Sequence, residues 1–171
     1  MRSAKARIYD NNQLDATTAS IVAPDDGSFP FSNALDGKRR GLPWNPDSKS
    51  FTVTIDLGYN GNASLFAIFG PSNANLGLSP AANITLKGNM INVFDGTEPF
   101  SESVPMYDIG AFLYLDTDAS PEGQQYRYWN IVFDDTTNPE DVFINYIFLG
   151  DALTFEFNVQ RGFNLDVTDQ S

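Results

Sequence analysis

Residues 51–58 read FTVTIDLG, with Phe51, Val53, Ile55 and Leu57 alternating against Thr52, Thr54 and Asp56. A period of two sends every second side chain to the same side of an extended chain, so this stretch specifies a half-buried strand. Strand-like runs recur in KARIYD, ANITLKG, MINVFDG, DIGAFLYLD, YRYWNIVFDD and VFINYIFLGDA. ASLFAIFG is different: its near-continuous apolar run, stopped by Gly70-Pro71, is the pattern of a strand buried on both faces. No stretch keeps a helical period for more than about two turns. About eight short strands, punctuated by Gly, Pro, Asn and Asp, specify an all-β chain. The expected architecture is an antiparallel jelly-roll β-sandwich, with another all-β barrel as the alternative. Gly70 to Asn83 and Asp95 to Met106 are expected as loops.

The chain has 171 residues, a size suited to one domain with a substantial core. Its 14 Phe, 7 Tyr and 2 Trp mean that large rings fill much of that core. There is no cysteine, so neither a disulfide framework nor a thiolate nucleophile is available. There is no histidine either, which removes the commonest general base and the commonest zinc ligand. Ten Lys and Arg against 22 Asp and Glu give a net charge of −12, a field that repels phosphate backbones. Arg2, Lys5 and Arg7, and the adjacent Lys38, Arg39 and Arg40, are groups too small for a nucleic-acid footprint. Nucleic acid is therefore not an expected partner. The opening MRSAKARIYD has basic residues but no apolar run behind them, so it does not read as a signal peptide. No apolar run approaches membrane-spanning length, and a membrane is not an expected partner.

Beyond Gly150 the character changes. The segment DALTFEFNVQRGFNLDVTDQS carries Phe155, Phe157, Val159, Phe163 and Leu165 among polar residues. Residues 1–150 are expected to form the sandwich, and 151–171 a C-terminal strand or arm. Three phenylalanines outside a closed sandwich need burial, which a neighbouring subunit would supply. Phe155, Phe157, Arg161 and Phe163 are thus candidate partner-binding residues, the guanidinium suiting a carboxylate across an interface. Completion of the domain's own core by the same phenylalanines is the simpler alternative. Lys38, Arg39 and Arg40, a local positive spot on an acidic chain, are candidates for contact with an acidic neighbour.

The stretch NALDGKRRGLPW, followed by FTVTIDLG and LFAIFG, resembles the discoidin-type, galactose-binding-like jelly roll. The matching residues are Ala34, Asp36, Gly37, Trp44, Asp56, Leu57 and Gly58, and the resemblance covers roughly residues 20 to 150. Physically the motif reads as architecture. Asp36-Gly37 is a turn pair, Trp44 folds back as an apolar plug, and Asp56 caps the turn after its strand. The resemblance implies two family functions. One is a calcium site at Asp36, but Lys38, Arg39 and Arg40 stand where the family offers further oxygens, and calcium needs six to eight of them. No cofactor is therefore expected. The other is sugar binding at loop tips, for which Tyr59, Phe100 and Tyr107 are the candidate aromatic platforms.

The far end, INYIFLGDALTFEFNVQRGFNLDVTDQS, resembles segments of tailed-bacteriophage virion proteins through Leu149, Gly150, Ala152, Asn158, Gly162 and Phe163. That resemblance implies a structural protein of the virion (head, neck or tail), made in the host cytoplasm. Its partners would be other virion proteins and copies of itself in a ring or lattice. A carbohydrate-binding module, free or in a receptor-attachment appendage with a cell-surface glycan as partner, is the alternative.

No catalytic residue is expected. Asp25-Asp26, Asp134-Asp135 and Glu140-Asp141 are adjacent pairs that point different ways, not two carboxyls facing across a cleft. They read as solvated turn residues. Neither Gly-x-Ser-x-Gly nor Ser-x-x-Lys is present.

Overall fold

In the computed structural model the described residues are 7–35, 42–70, 77–107, 110–116 and 123–154, with side chains described within 11–151. Among these residues ten strands form two five-stranded sheets. In the first, β1 (Arg7–Asn12), β10 (Tyr146–Thr154), β4 (Leu65–Phe69), β8 (Gly110–Tyr114) and β7 (Met106–Tyr107) lie in that order. The second runs β2 (Ser20–Val22), β3 (Ser50–Ala63), β9 (Gln124–Asp134), β5 (Asn83–Asn89) and β6 (Phe100–Ser103). Every pairing is antiparallel. Apart from two short 3-10 turns, Gln13–Asp15 and Phe31–Ala34, helix is absent from the described residues. None of their helices is long and apolar enough to cross a membrane.

The period-two reading of FTVTIDLG holds: Phe51, Val53, Ile55 and Leu57 are buried, and Thr52, Thr54 and Asp56 face outward. In register, Val53 pairs with Ile131 and Ile55 with Trp129. These side chains form one core with Phe66, Ile68, Ile147 and Leu149 of the first sheet. Phe66, Ala67 and Ile68 are all buried, as the unbroken apolar run of ASLFAIFG requires. Ser64 is the corner between the sheets, its N–H bonded to the Gly150 carbonyl at 2.8 Å.

Two segments differ from the expectation. MINVFDG is a loop, with Met90, Ile91 and Val93 exposed. The Asn89 side chain takes over local hydrogen bonding. Its oxygen accepts from the N–H of Met90 at 2.8 Å, and its amide donates to the Val93 carbonyl at 2.7 Å. Such local bonding competes with the ladder and ends the strand. Conversely, the expected loop from Asp95 to Met106 contains β6 and the start of β7. Both are short edge strands preceded by Pro99 and Pro105, positions where a missing N–H is tolerated. The expected boundary after Gly150 falls inside β10, which runs on to Thr154 and pairs Thr154 with Arg7.

Strand direction defines two ends of the sandwich. Ser50, Asp134 and Asn83 share one row, so the segments before β3, before β5 and after β9 meet at a single end. Ala63 and Gln124, the Ser64 corner, Gly150 and the Arg7–Thr154 pair lie toward the other end.

Asp56 and Arg127 clamp the second sheet. The Arg127 guanidinium donates to both carboxylate oxygens, at 2.7 and 2.9 Å, and its Cζ lies 4.9 Å from the centre of the Tyr128 ring. Asp56 also accepts the Gly58 N–H at 2.8 Å, the turn cap expected from sequence. Gly58 sits at φ +77°, beside the Thr18 carbonyl, where a side chain is disfavoured. The Arg127 hydrogen bond, against a smaller opposing effect of burial, holds the Asp56 carboxyl below its ordinary 3.8. A lowered folded-state pKa means that the pair stabilises the fold fully above about pH 4. That contribution disappears as the pH falls through the lowered value. In melting curves, Arg127→Gln is expected to melt slightly below the parent at neutral pH. The gap should close in acid below that window.

Candidate functional site: a polar cleft at one end of the sandwich

Trp44 builds this end. Its indole is fully buried, with Phe31, Phe51 and Phe133 edge-on at ring-centre distances of 4.8, 5.4 and 6.4 Å. Its Nε1–H donates to the Pro24 carbonyl at 2.8 Å, so the buried polar atom is satisfied. Its backbone makes both hydrogen bonds of an isolated antiparallel bridge to Ile144, at 2.8 and 2.9 Å. On the other side, the Asn45 N–H bonds the Phe29 carbonyl at 3.0 Å. The short run around Trp44 is thereby held between the segments carrying Phe29 and Phe143. Those two half-buried rings meet edge-on at 5.8 Å.

Just past this bridge a cleft of about 200 Å³ opens, lined by Asn45, Asp47, Ser48, Lys49, Asp141 and Val142. Its walls are fixed. The Asn45 side-chain oxygen accepts the Asp47 N–H at 2.8 Å. Asp47 has φ +51°, the one non-glycine residue among those described with positive φ. Lys49 is tied twice: its Nζ donates to the Asn138 carbonyl at 2.7 Å, and its own carbonyl accepts the Asp135 N–H at 2.7 Å.

Asp135 corrects the expectation of a solvated turn. It is 1% exposed, and its carboxylate accepts from the Ser79 N–H at 2.8 Å, from the Ser79 hydroxyl, and from the Asn138 amide at 2.9 Å. Asn138 in turn donates to the Gly77 carbonyl at 2.8 Å. The buried carboxylate thus joins the loops before β5 and after β9, and the Asp135 N–H and Asn138 carbonyl add the segment before β3, in a single support beneath the cleft. Its neighbour Asp134 does act as a turn residue, accepting from the Thr136 N–H and hydroxyl.

The aromatic candidates do not converge. Tyr59 is exposed on the β3 bulge between Asp56 and Gly61, away from the cleft end. Phe100 heads β6 and packs on Tyr126 and Trp129. Tyr107 is 51% exposed on β7, its ring stacked parallel on Phe112 at 4.1 Å. It lies toward the cleft end, but at the far edge of the other sheet. Asp36, Lys38, Arg39 and Arg40 lie outside the described residues, as do Phe155, Phe157, Arg161 and Phe163. The described residues contain no group of three or more carboxylates placed to hold a metal ion.

The fold is a discoidin-like jelly-roll β-sandwich. Its solved neighbours include CpGH89CBM32-6, a module of the family 32 carbohydrate-binding type (CBM32) produced by Clostridium perfringens. It is 20% identical and covers 82% of this chain and 99% of its own, at a TM-score of 0.56. The family 32 module of C. perfringens NanJ, solved with galactose, is 17% identical. That alignment covers 77% of this chain and 91% of the module, at 0.53. A GH29 fucosidase of Ruminococcus gnavus, solved with fucose, matches at 0.63 and 14% identity. There 84% of this chain is covered but only 27% of the enzyme, so the likeness is to one part of a longer protein. No protein-family description and no curated protein matches the sequence.

Proposed function

We propose that this chain is a non-catalytic carbohydrate-binding module that holds a glycan in the cleft beside Trp44. The observation that carries the reading is the convergence of Asn45, Asp47, Ser48, Lys49 and Asp141 on one small cleft at the loop end of this fold. Sugar hydroxyls are both donors and acceptors, and the cleft presents two exposed carboxylates and the Asn45 amide N–H groups to meet them. The segments that flank Trp44 carry the half-buried rings of Phe29 and Phe143, a source of apolar surface at this end of the sandwich. Several solved neighbours are themselves sugar-bound modules, which supports this reading over assembly into a virion. Nothing in those comparisons points to a phage protein, and the residues on which the arm rests lie outside the described ones.

The test is calorimetric titration with galactosides, fucosides and N-acetylhexosamines. Saturable binding is expected, with a Kd on the order of 1 mM for a monosaccharide in so small a site. Asn45→Ala combined with Asp141→Ala should weaken it about tenfold or more, through lost hydrogen bonds to a charged acceptor and an amide. Tyr59→Ala and Tyr107→Ala should leave it unchanged. Loss of binding in either tyrosine variant, with the cleft variant unaffected, would move the site elsewhere.

A further inference from the structure

We propose, building on that reading, that the cleft selects sugars that are neutral or carry a free amine and rejects sugars that carry a carboxylate. The argument is an inventory of what the lining side chains have left to offer. The Ser48 hydroxyl donates to the Ser50 carbonyl at 2.8 Å and accepts the Ser50 N–H at 3.2 Å. The Asn45 oxygen is engaged with the Asp47 N–H, and the Lys49 ammonium with the Asn138 carbonyl. What faces solvent is chiefly the pair of exposed carboxylates, Asp47 and Asp141, with the exposed Glu140 next in sequence. Two carboxylates against one ammonium leave the lining net negative, inside a chain whose own net charge is −12.

Three features make this a local property of the cleft as well as of the overall charge. The cleft is polar, and hydrogen bonds fix the backbone at Asp47 and the Ser48 and Lys49 side chains, so the two exposed carboxylates spring from set positions at its rim. Asp47 is held in the left-handed region by the Asn45 turn, a backbone state that ordinary positions avoid. Lys49 is drawn back toward Asn138, its charge directed at a carbonyl of the supporting loop. A sugar hydroxyl donating to a carboxylate makes a charge-assisted bond, and a protonated amine adds an ion pair. A uronic or sialic acid carboxylate would instead put like charges together in a small space.

The experiment is a titration of the full chain with three size-matched oligosaccharide series. These are oligoglucosamines with free amines, neutral N-acetylated or galactose oligomers, and uronic acid oligomers, each run at low and at physiological salt. The expected order is amine-bearing, then neutral, then carboxylated, with at least tenfold between the first and the last. Asp47→Asn with Asp141→Asn keeps the shape of the cleft and changes the net charge only from −12 to −10. If the selectivity is local, that double variant brings the amine and carboxylate series within about threefold of each other. If the preference survives the double variant, it belongs to the whole protein's field, and the inference is overturned. Uronic acid oligomers binding as tightly as neutral ones would overturn it too, while leaving the carbohydrate-binding reading in place. Saturation by none of the three series would remove both.

Discussion

Trp44→Ala is expected to cost about 4 kcal/mol, a large part of the 5–15 kcal/mol that separates folded from unfolded in a domain of this kind. The indole is fully buried among three edge-on aromatic rings, so truncation leaves a cavity that rigid neighbours cannot close. It also leaves the Pro24 carbonyl without its donor. Urea denaturation should show a large drop in midpoint at an unchanged slope. Trp44→Phe, which keeps one aromatic ring, loses the Nε1–H bond and leaves a smaller cavity, should cost about 2 kcal/mol. Equal effects from the two substitutions would show that the aromatic packing contributes little. Because the indole anchors the segment that bridges to Ile144 and borders the cleft, the alanine variant should also weaken ligand binding before it unfolds.

Asp135→Ala should cost about 3 kcal/mol. The carboxylate satisfies two donors of Ser79 and the amide of Asn138 in a site closed to water, and alanine leaves all three without it. Asp135→Asn keeps one oxygen acceptor and should recover part of the loss. The functional consequence separates this residue from an ordinary core position. The Asp135 N–H bonds the Lys49 carbonyl and the Asn138 carbonyl takes the Lys49 ammonium; alanine keeps both groups, but the loop that carries them loses the carboxylate that positions it. A variant that still folds at low temperature should therefore bind sugar more weakly than its residual stability alone would suggest. Titration well below the melting temperature measures this directly.

Much of the fold is written in local pattern. Strict alternation in FTVTIDLG marks a strand with one buried face, and the unbroken apolar run of ASLFAIFG marks one with two. Trp44 could be recognised as a plug because a large ring beside a turn has few other uses. MINVFDG misleads because its apolar residues mimic a strand. What decides the outcome is a single preceding side chain, Asn89, whose amide captures the local backbone. β6 and β7 escape notice because two- and four-residue edge strands carry too few positions for alternation to register.

The cleft was not legible in the sequence, for a different reason. Its two walls come from segments far apart in the chain, joined by a bridge at Trp44 and Ile144 that no periodicity announces. Asp135 likewise reads as half of an acidic turn, since nothing local shows that Ser79 will arrive to bury it. The loop aromatics drew attention because each stands out alone, whereas a polar cleft is built from residues that individually look ordinary.

Arg7 and Thr154 face each other across the first sheet at the end of the sandwich remote from the cleft. A leash or surface coupling attached near either residue would therefore leave the mouth of the proposed binding cleft unobstructed, and both attachment points would present it in the same direction. Grafting at these two positions is a practical way to display the module in many copies, where weak single contacts multiply into firm adhesion.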